Sequence, residues 1–143
     1  MKDIASLYRY AEEKQIEILP FSLPVTGSMS LETEDGACFI GIDHGRRADA
    51  ADERVHLGHE LGHCVTGSFY NRYARQDLRQ RHENRADKWA IRRLVPVDEL
   101  DEAVAFGCTE LWELAEHFGV TEDFIKKAIC LYTHGNLATE LYF

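Results

Sequence analysis

The chain is short of cysteine, of proline and of long apolar runs, and each shortage removes a class of protein. Its four cysteines, Cys38, Cys64, Cys108 and Cys130, contain no C-x-x-C pair. So sparse a set in a chain able to build its own core does not suggest a disulfide scaffold; the expectation is four reduced, mostly packed side chains in a cytosolic protein. Three prolines and no low-complexity tract, with 45% apolar and 29% charged residues, exclude a disordered or fibrous chain. Nowhere do eighteen apolar residues run together, and Met1-Lys2-Asp3-Ile4 leads into a mixed polar segment, so neither secretion nor membrane spanning is expected.

Positive charge is also scarce. A net charge of −9 argues against a surface that grips phosphates throughout. The exception is local: Arg72, Arg75, Arg79, Arg81, Arg85, Lys88, Arg92 and Arg93 face only Asp77, Glu83 and Asp87 in the same stretch. Such a run is either a solvated helix surface or a patch that receives an acidic partner.

At 143 residues the length suits one domain, residues 1–143. Ile4, Leu7, Tyr8 and Ala11 recur at helical spacing behind Asp3, a candidate N-cap, and predict an amphipathic helix over 4–15. Residues 16–19 alternate briefly before Pro20 and Pro24, and β-like runs follow at about 28–33 and 37–43. Asp35-Gly36 between them predicts a hairpin in which both turn positions take positive φ. Beyond a polar connection, helices are expected at about 50–66, 79–95, 97–106, 109–118 and 121–133, punctuated by Gly67, Pro96, Gly107, Gly119 and Gly135. The fold class is therefore α+β: an N-terminal helix and a small antiparallel sheet, then a mainly helical half.

The chemistry is concentrated in His59-Glu60-Leu61-Gly62-His63, an H-E-x-x-H sequence within an expected helix. Four residues at 100° each place the two imidazoles about 40° apart and one turn apart, so both reach one ion. Glu60 flanks them, within reach of a water on that ion, while Leu57, Leu61, Cys64 and Val65 fall on the other side and are expected to pack. Two histidines do not complete a catalytic metal site, which takes three protein ligands and an open position. Twenty residues beyond His63 stands Glu83, on a helical stripe with Ala86, Asp87, Ala90 and Leu94. The alanines let this helix approach the first closely, and Asp87 is placed to accept a ring N–H from His59 or His63. His56, one turn before His59, is either an alternative ligand or, as favoured here, a hydrogen-bonding side chain. His44 and His117 belong to no constellation.

H-E-L-G-H followed by Glu83 in an E-x-x-A-D-x-x-A context resembles the gluzincin zinc peptidases, and more closely the ImmA/IrrE (DUF955) metallopeptidases. The likeness covers most of the chain and implies a minimal zincin-like metallopeptidase domain. It implies His59, His63 and Glu83 as zinc ligands and Glu60 as catalytic base, with manganese or iron as other ions such a donor set accepts. It also implies a bacterial or mobile-element origin and a regulatory protein as substrate, typically a helix-turn-helix repressor. For the oxyanion, Tyr70, Tyr73, His82 and His134 are all candidates. The run from Gly36 to Asp43 is expected to act as an edge strand for an extended peptide.

Residues 109–129 resemble a helix-turn-helix, with a turn at Gly119 and Val120 and apolar Phe124, Ile125 and Ile129. Its second helix carries Lys126 and Lys127 against Glu122 and Asp123, and Glu110, Glu113 and Glu116 crowd the first, so direct nucleic-acid binding is disfavoured. The competing reading is a non-catalytic regulator that binds DNA or a repressor through these segments, with the metal as a structural prop.

Overall fold

The computed structural model describes residues 4–46, 49–70 and 73–141. It is α+β. Helix α1 (Ala5–Glu13) leads to strand β1 (Glu17–Pro20), the hairpin β2 (Ser28–Glu32) and β3 (Cys38–Ile42), and a 3₁₀ turn at His44–Arg46. Helices α2 (Ala50–Thr66), α3 (Gln76–Leu94), α4 (Val97–Ala105), α5 (Leu111–Phe118) and α6 (Glu122–His134) follow, with a closing 3₁₀ turn at Ala138–Leu141. The expected N-cap Asp3, and Arg72 of the basic run, lie outside the described residues.

The sheet differs from expectation in two ways. Its order is β1-β3-β2, with β2 antiparallel to β3 but β1 parallel to it. The short Ile16 to Leu19 alternation is thus a real strand. As a result β3 is the central strand, paired on both sides, and does not offer the free edge expected of residues 36–43; that edge belongs to β2. In the hairpin only Gly36 takes positive φ, at 86°. Asp35 contributes through its carboxylate, which accepts from the Thr33 hydroxyl and, at 3.4 Å, from the Ala37 amide.

Helix α2 is bounded as its sequence dictates. Asp49 caps the start by accepting from the Asp52 amide at 2.9 Å, and Gly67 ends it in the left-handed region at φ 66°. Leu57 and Leu61 are fully buried and share one apolar cluster with Ala90, Ile91 and Leu94 of α3. Val65, expected to pack, is 41% exposed. The two helices approach most closely at Gly62, where a Cβ would lie 2.4 Å from the Ala86 carbonyl oxygen; one turn earlier, a Cβ on Gly58 would meet Leu94 Cδ1 at 2.9 Å. Small residues on both helices, not on α3 alone, set this approach.

The cysteines correct a second expectation. Cys38 on β3 and Cys64 on α2 form a disulfide, with Cα atoms 6.0 Å apart. The pair is separated by 26 residues and carries no spacing signal; it forms because β3 passes beside the end of α2. Cys108 and Cys130 are free and half-buried.

One contiguous apolar cluster runs from Leu7 and Ala11 through Ile40, Ile42, Leu57 and Leu61 to Phe118, Phe124, Ile125 and Leu137. Arg54, 3% exposed, reaches from α2 to donate to the Phe118 carbonyl and, at 3.3 Å, to that of Gly119. It thereby fastens the α5–α6 turn to the helix that carries H-E-x-x-H. Ile129, expected in that core, is 38% exposed.

Candidate metal centre

The close approach of α2 and α3 brings His59, His63 and Glu83 together. One ligand atom from each lies within 4.8 Å of the others. The two Nε2 atoms are 3.2 Å apart, His63 Nε2 lies 3.2 Å from Glu83 Oε1, and His59 Nε2 lies 2.6 Å from Glu83 Oε2.

Each imidazole is held from behind. His59 Nδ1 lies 2.7 Å from Asp87 Oδ1, the placement expected of Asp87, and His63 Nδ1 lies 2.5 Å from the carbonyl oxygen of Ser68. Both partners only accept, so both Nδ1 atoms carry the proton and donate it. The Nε2 atoms are thereby turned toward Glu83. Asp87 is itself steadied by Lys127 of α6 at 3.4 Å.

The charges are strongly coupled. Burial works against a charged His59, but the hydrogen bonds to Asp87 and Glu83 outweigh it and hold its pKa up to about 10. Burial likewise opposes a charged Glu83, yet its bonds to His59 and His63 keep the carboxyl well below the usual range, and His59 does the same for Asp87. The His59–Glu83 contact is thus a charge-assisted hydrogen bond.

Glu60 is buried beside this group, 7% exposed, and its Oε2 accepts from Ser28 Oγ of β2 at 2.8 Å. Ser28 carries no signal in the sequence that would mark it. A cavity of about 530 Å³ lies over the group, walled by Ser28, Met29 and Ser30 of the β2 edge, by Glu60 and by Phe69 and Tyr70. A second, of about 580 Å³, opens from His59 and Glu83 toward Lys126, Lys127 and Leu137. Of the four oxyanion candidates, Tyr70 is nearest: its hydroxyl donates to Glu83 Oε1 at 2.8 Å, and burial with that bond pushes its pKa up to about 12. His82 stacks on Tyr70 at 6.1 Å, whereas Tyr73 is 78% exposed and His134 lines neither cavity.

Residues 11–129 match the sequence profile described as the IrrE N-terminal-like domain, peptidase family M78. The chain belongs to that family. No curated protein and no solved structure gives a significant match. For an M78 metallopeptidase, the donor set fits a divalent cation on its own geometry. With ligands at about 2.0–2.1 Å, a tetrahedral ion needs ligand atoms about 3.3 Å apart. The two imidazole Nε2 atoms already stand 3.2 Å apart, and each faces one oxygen of Glu83, His63 at 3.2 Å and His59 at 2.6 Å, the shorter being a charge-assisted hydrogen bond that a cation would replace.

The other candidates are less committed to chemistry. His56 is a hydrogen-bonding side chain, 3.0 Å from Ser28 Oγ, and is not in the ligand group. The basic run is partly spent internally: Lys88 pairs with Glu140 at 2.7 Å, and Arg93 lies over the Tyr10 ring. No helix among the described residues is long and apolar enough to cross a membrane.

Proposed function

We propose that the chain is one metallopeptidase domain, a zinc-dependent endopeptidase in which His59, His63 and Glu83 hold the ion and Glu60 is the general base. Support comes chiefly from one observation: both Nδ1 atoms are occupied by acceptors, so that two imidazoles and a carboxylate converge on one point beside a buried glutamate. A cation bound there supplies Lewis acidity, polarising the scissile carbonyl and acidifying water. Glu60 takes the proton of the attacking water and passes it to the leaving amine. Asp87 and the Ser68 carbonyl keep the two rings in one tautomer throughout. Tyr70 is the donor closest to hand for the oxyanion. The substrate lies extended along the β2 edge, whose Ser28, Met29 and Ser30 wall the cavity.

The substrate class follows from the family resemblance: a regulatory protein such as a helix-turn-helix repressor, cut at one site. The regulator reading is less well supported. Lys127 of the helix that would read DNA is paired with Asp87 behind the candidate metal centre, so that helix serves the site. Elemental analysis of wild type, Glu83→Ala and Glu60→Gln, with a cleavage assay on labelled casein and on a candidate repressor, tests the proposal. About one zinc per chain in wild type and Glu60→Gln, little in Glu83→Ala, and cleavage by wild type alone are expected. No divalent metal in wild type would overturn it.

A further inference from the structure

We infer that Ser28 is a positioning residue for the Glu60 carboxylate, fixed in its role as donor by His56. The inference rests on the peptidase reading, since it concerns the base assigned there. Ser28 opens β2 and is 7% exposed. Its Oγ lies 2.8 Å from Glu60 Oε2 and 3.0 Å from His56 Nδ1. A hydroxyl has one proton, and an ionised carboxylate only accepts. The proton of Ser28 is therefore spent on Glu60. The 3.0 Å contact is then a hydrogen bond only if His56 Nδ1 is the donor. The three groups read in one direction, from His56 Nδ1–H to Ser28 Oγ–H to Glu60 Oε2. Asp52 Oδ1, one turn back on α2, stands 3.6 Å from the other ring nitrogen of His56, beyond hydrogen-bond reach.

This arrangement does for Glu60 what Asp87 and the Ser68 carbonyl do for the histidines. A glutamate has three side-chain torsions. With Oε2 tied to the strand, Oε1 is the oxygen left to take a proton, at a place fixed relative to the β2 edge. The same strand walls the cavity through Met29 and Ser30, so base and substrate are aligned by one element.

The test compares wild type, Ser28→Ala, Ser28→Thr, His56→Phe and the Ser28→Ala/His56→Phe double variant, with labelled casein as substrate. Ser28→Ala is expected to keep its zinc and to lose no more than a few degrees of Tm while kcat falls about 10- to 100-fold at unchanged KM, as for other groups that orient a reacting side chain. Ser28→Thr restores most of the rate. His56→Phe costs less, and nothing further once Ser28 is alanine. An unchanged kcat in Ser28→Ala, or a full His56→Phe loss in the double variant, overturns the inference. A second readout needs no substrate: acetohydroxamate binding to the cobalt-substituted chain, followed in the visible spectrum, because the bound hydroxamate gives its proton to the base. Ser28→Ala should weaken it about tenfold, with Ser28→Thr restoring it. Equal binding by Ser28→Ala, alongside weak binding by Glu60→Gln, removes only the role of Ser28. Equal binding by Glu60→Gln removes the base itself, and with it the peptidase reading.

Discussion

The Gly62→Ala substitution adds one methyl group and asks how firmly the metal centre depends on helix approach. The new Cβ would lie 2.4 Å from the Ala86 carbonyl oxygen and 3.0 Å from its carbonyl carbon and Cα, about 1 Å short of ordinary contact. Every one of these neighbours is backbone inside α3, so no side chain can swing away. The helices must part by a large fraction of that deficit, which as overpacking costs about 2–3 kcal/mol and lowers Tm by roughly 10 °C. Glu83 stands three residues before Ala86 on the same helix and moves with it. Its carboxylate withdraws from imidazoles now 2.6 and 3.2 Å away, where metal sites tolerate only about 0.2 Å, so zinc affinity should fall at least about tenfold. Gly58→Ala is the control. Its Cβ meets Leu94 Cδ1 at 2.9 Å, the end of a flexible side chain, and should cost about 1 kcal/mol with affinity nearly intact. Thermal melts and zinc titration against a competing chelator measure both effects. Equal behaviour of the two variants would refute the claim that backbone contact at Gly62 sets the ligand spacing.

Other elements make separate predictions. Arg54→Ala removes the buried donor to the Phe118 and Gly119 carbonyls and should cost about 2–4 kcal/mol in urea unfolding at unchanged m; a loss under ~1 kcal/mol would mean that water replaces the guanidinium. Reducing Cys38–Cys64 opens a loop of 26 residues and should destabilise the oxidised protein by about 3 kcal/mol, with no such response to reductant in Cys38→Ala. Burial tends to raise the pKa of Glu140, but Lys88 and the Leu137 amide outweigh it and hold the carboxyl below its ordinary value of 4.5. A depressed folded pKa gives stability that is present above about pH 4.5 and lost as pH falls through the folded value. The wild type should therefore exceed Glu140→Gln by about 0.5–1 kcal/mol at pH 7 and by nothing at low pH, as compared by urea unfolding at both.

What the sequence makes legible is what depends on local period. H-E-x-x-H places two rings on one helical face whatever surrounds it, and the stripe from Glu83 to Leu94 declares its packing side by spacing alone. The hydrogen bond from His59 to Asp87 follows from those two helices meeting. Pairings between distant segments were not legible. Cys38 and Cys64 meet only because β3 passes the end of α2, and neither neighbourhood resembles a disulfide motif. Whether β2 or β3 is the free edge depends on where β1 pairs, which the sequence 16–20 does not state. Gly58 and Gly62, four apart on one helix, were the available sign of a close approach. Ser28 had no such sign, because a serine at the start of a strand acquires meaning only when Glu60 is found beside it.

The tie points of the three α2 histidines bear on whether a bound ion would act as catalyst or as structural prop. His56, His59 and His63 each turn Nδ1 to a different part of the fold: Ser28 on β2, Asp87 on α3 and the Ser68 carbonyl beyond α2. Those partners are placed by the packing of the fold, namely the Gly62 approach, the buried Leu57 and Leu61, and the Arg54 bonds to the α5–α6 turn. A prop is needed where a core cannot hold its own elements, and it engages four protein ligands, as closed zinc sites do. Here α2 and α3 already touch at backbone distance, and only three ligand groups converge among the described residues. Three donors on a preformed frame leave a position free for water and carbonyl, the pattern of a site that spends its ion on chemistry.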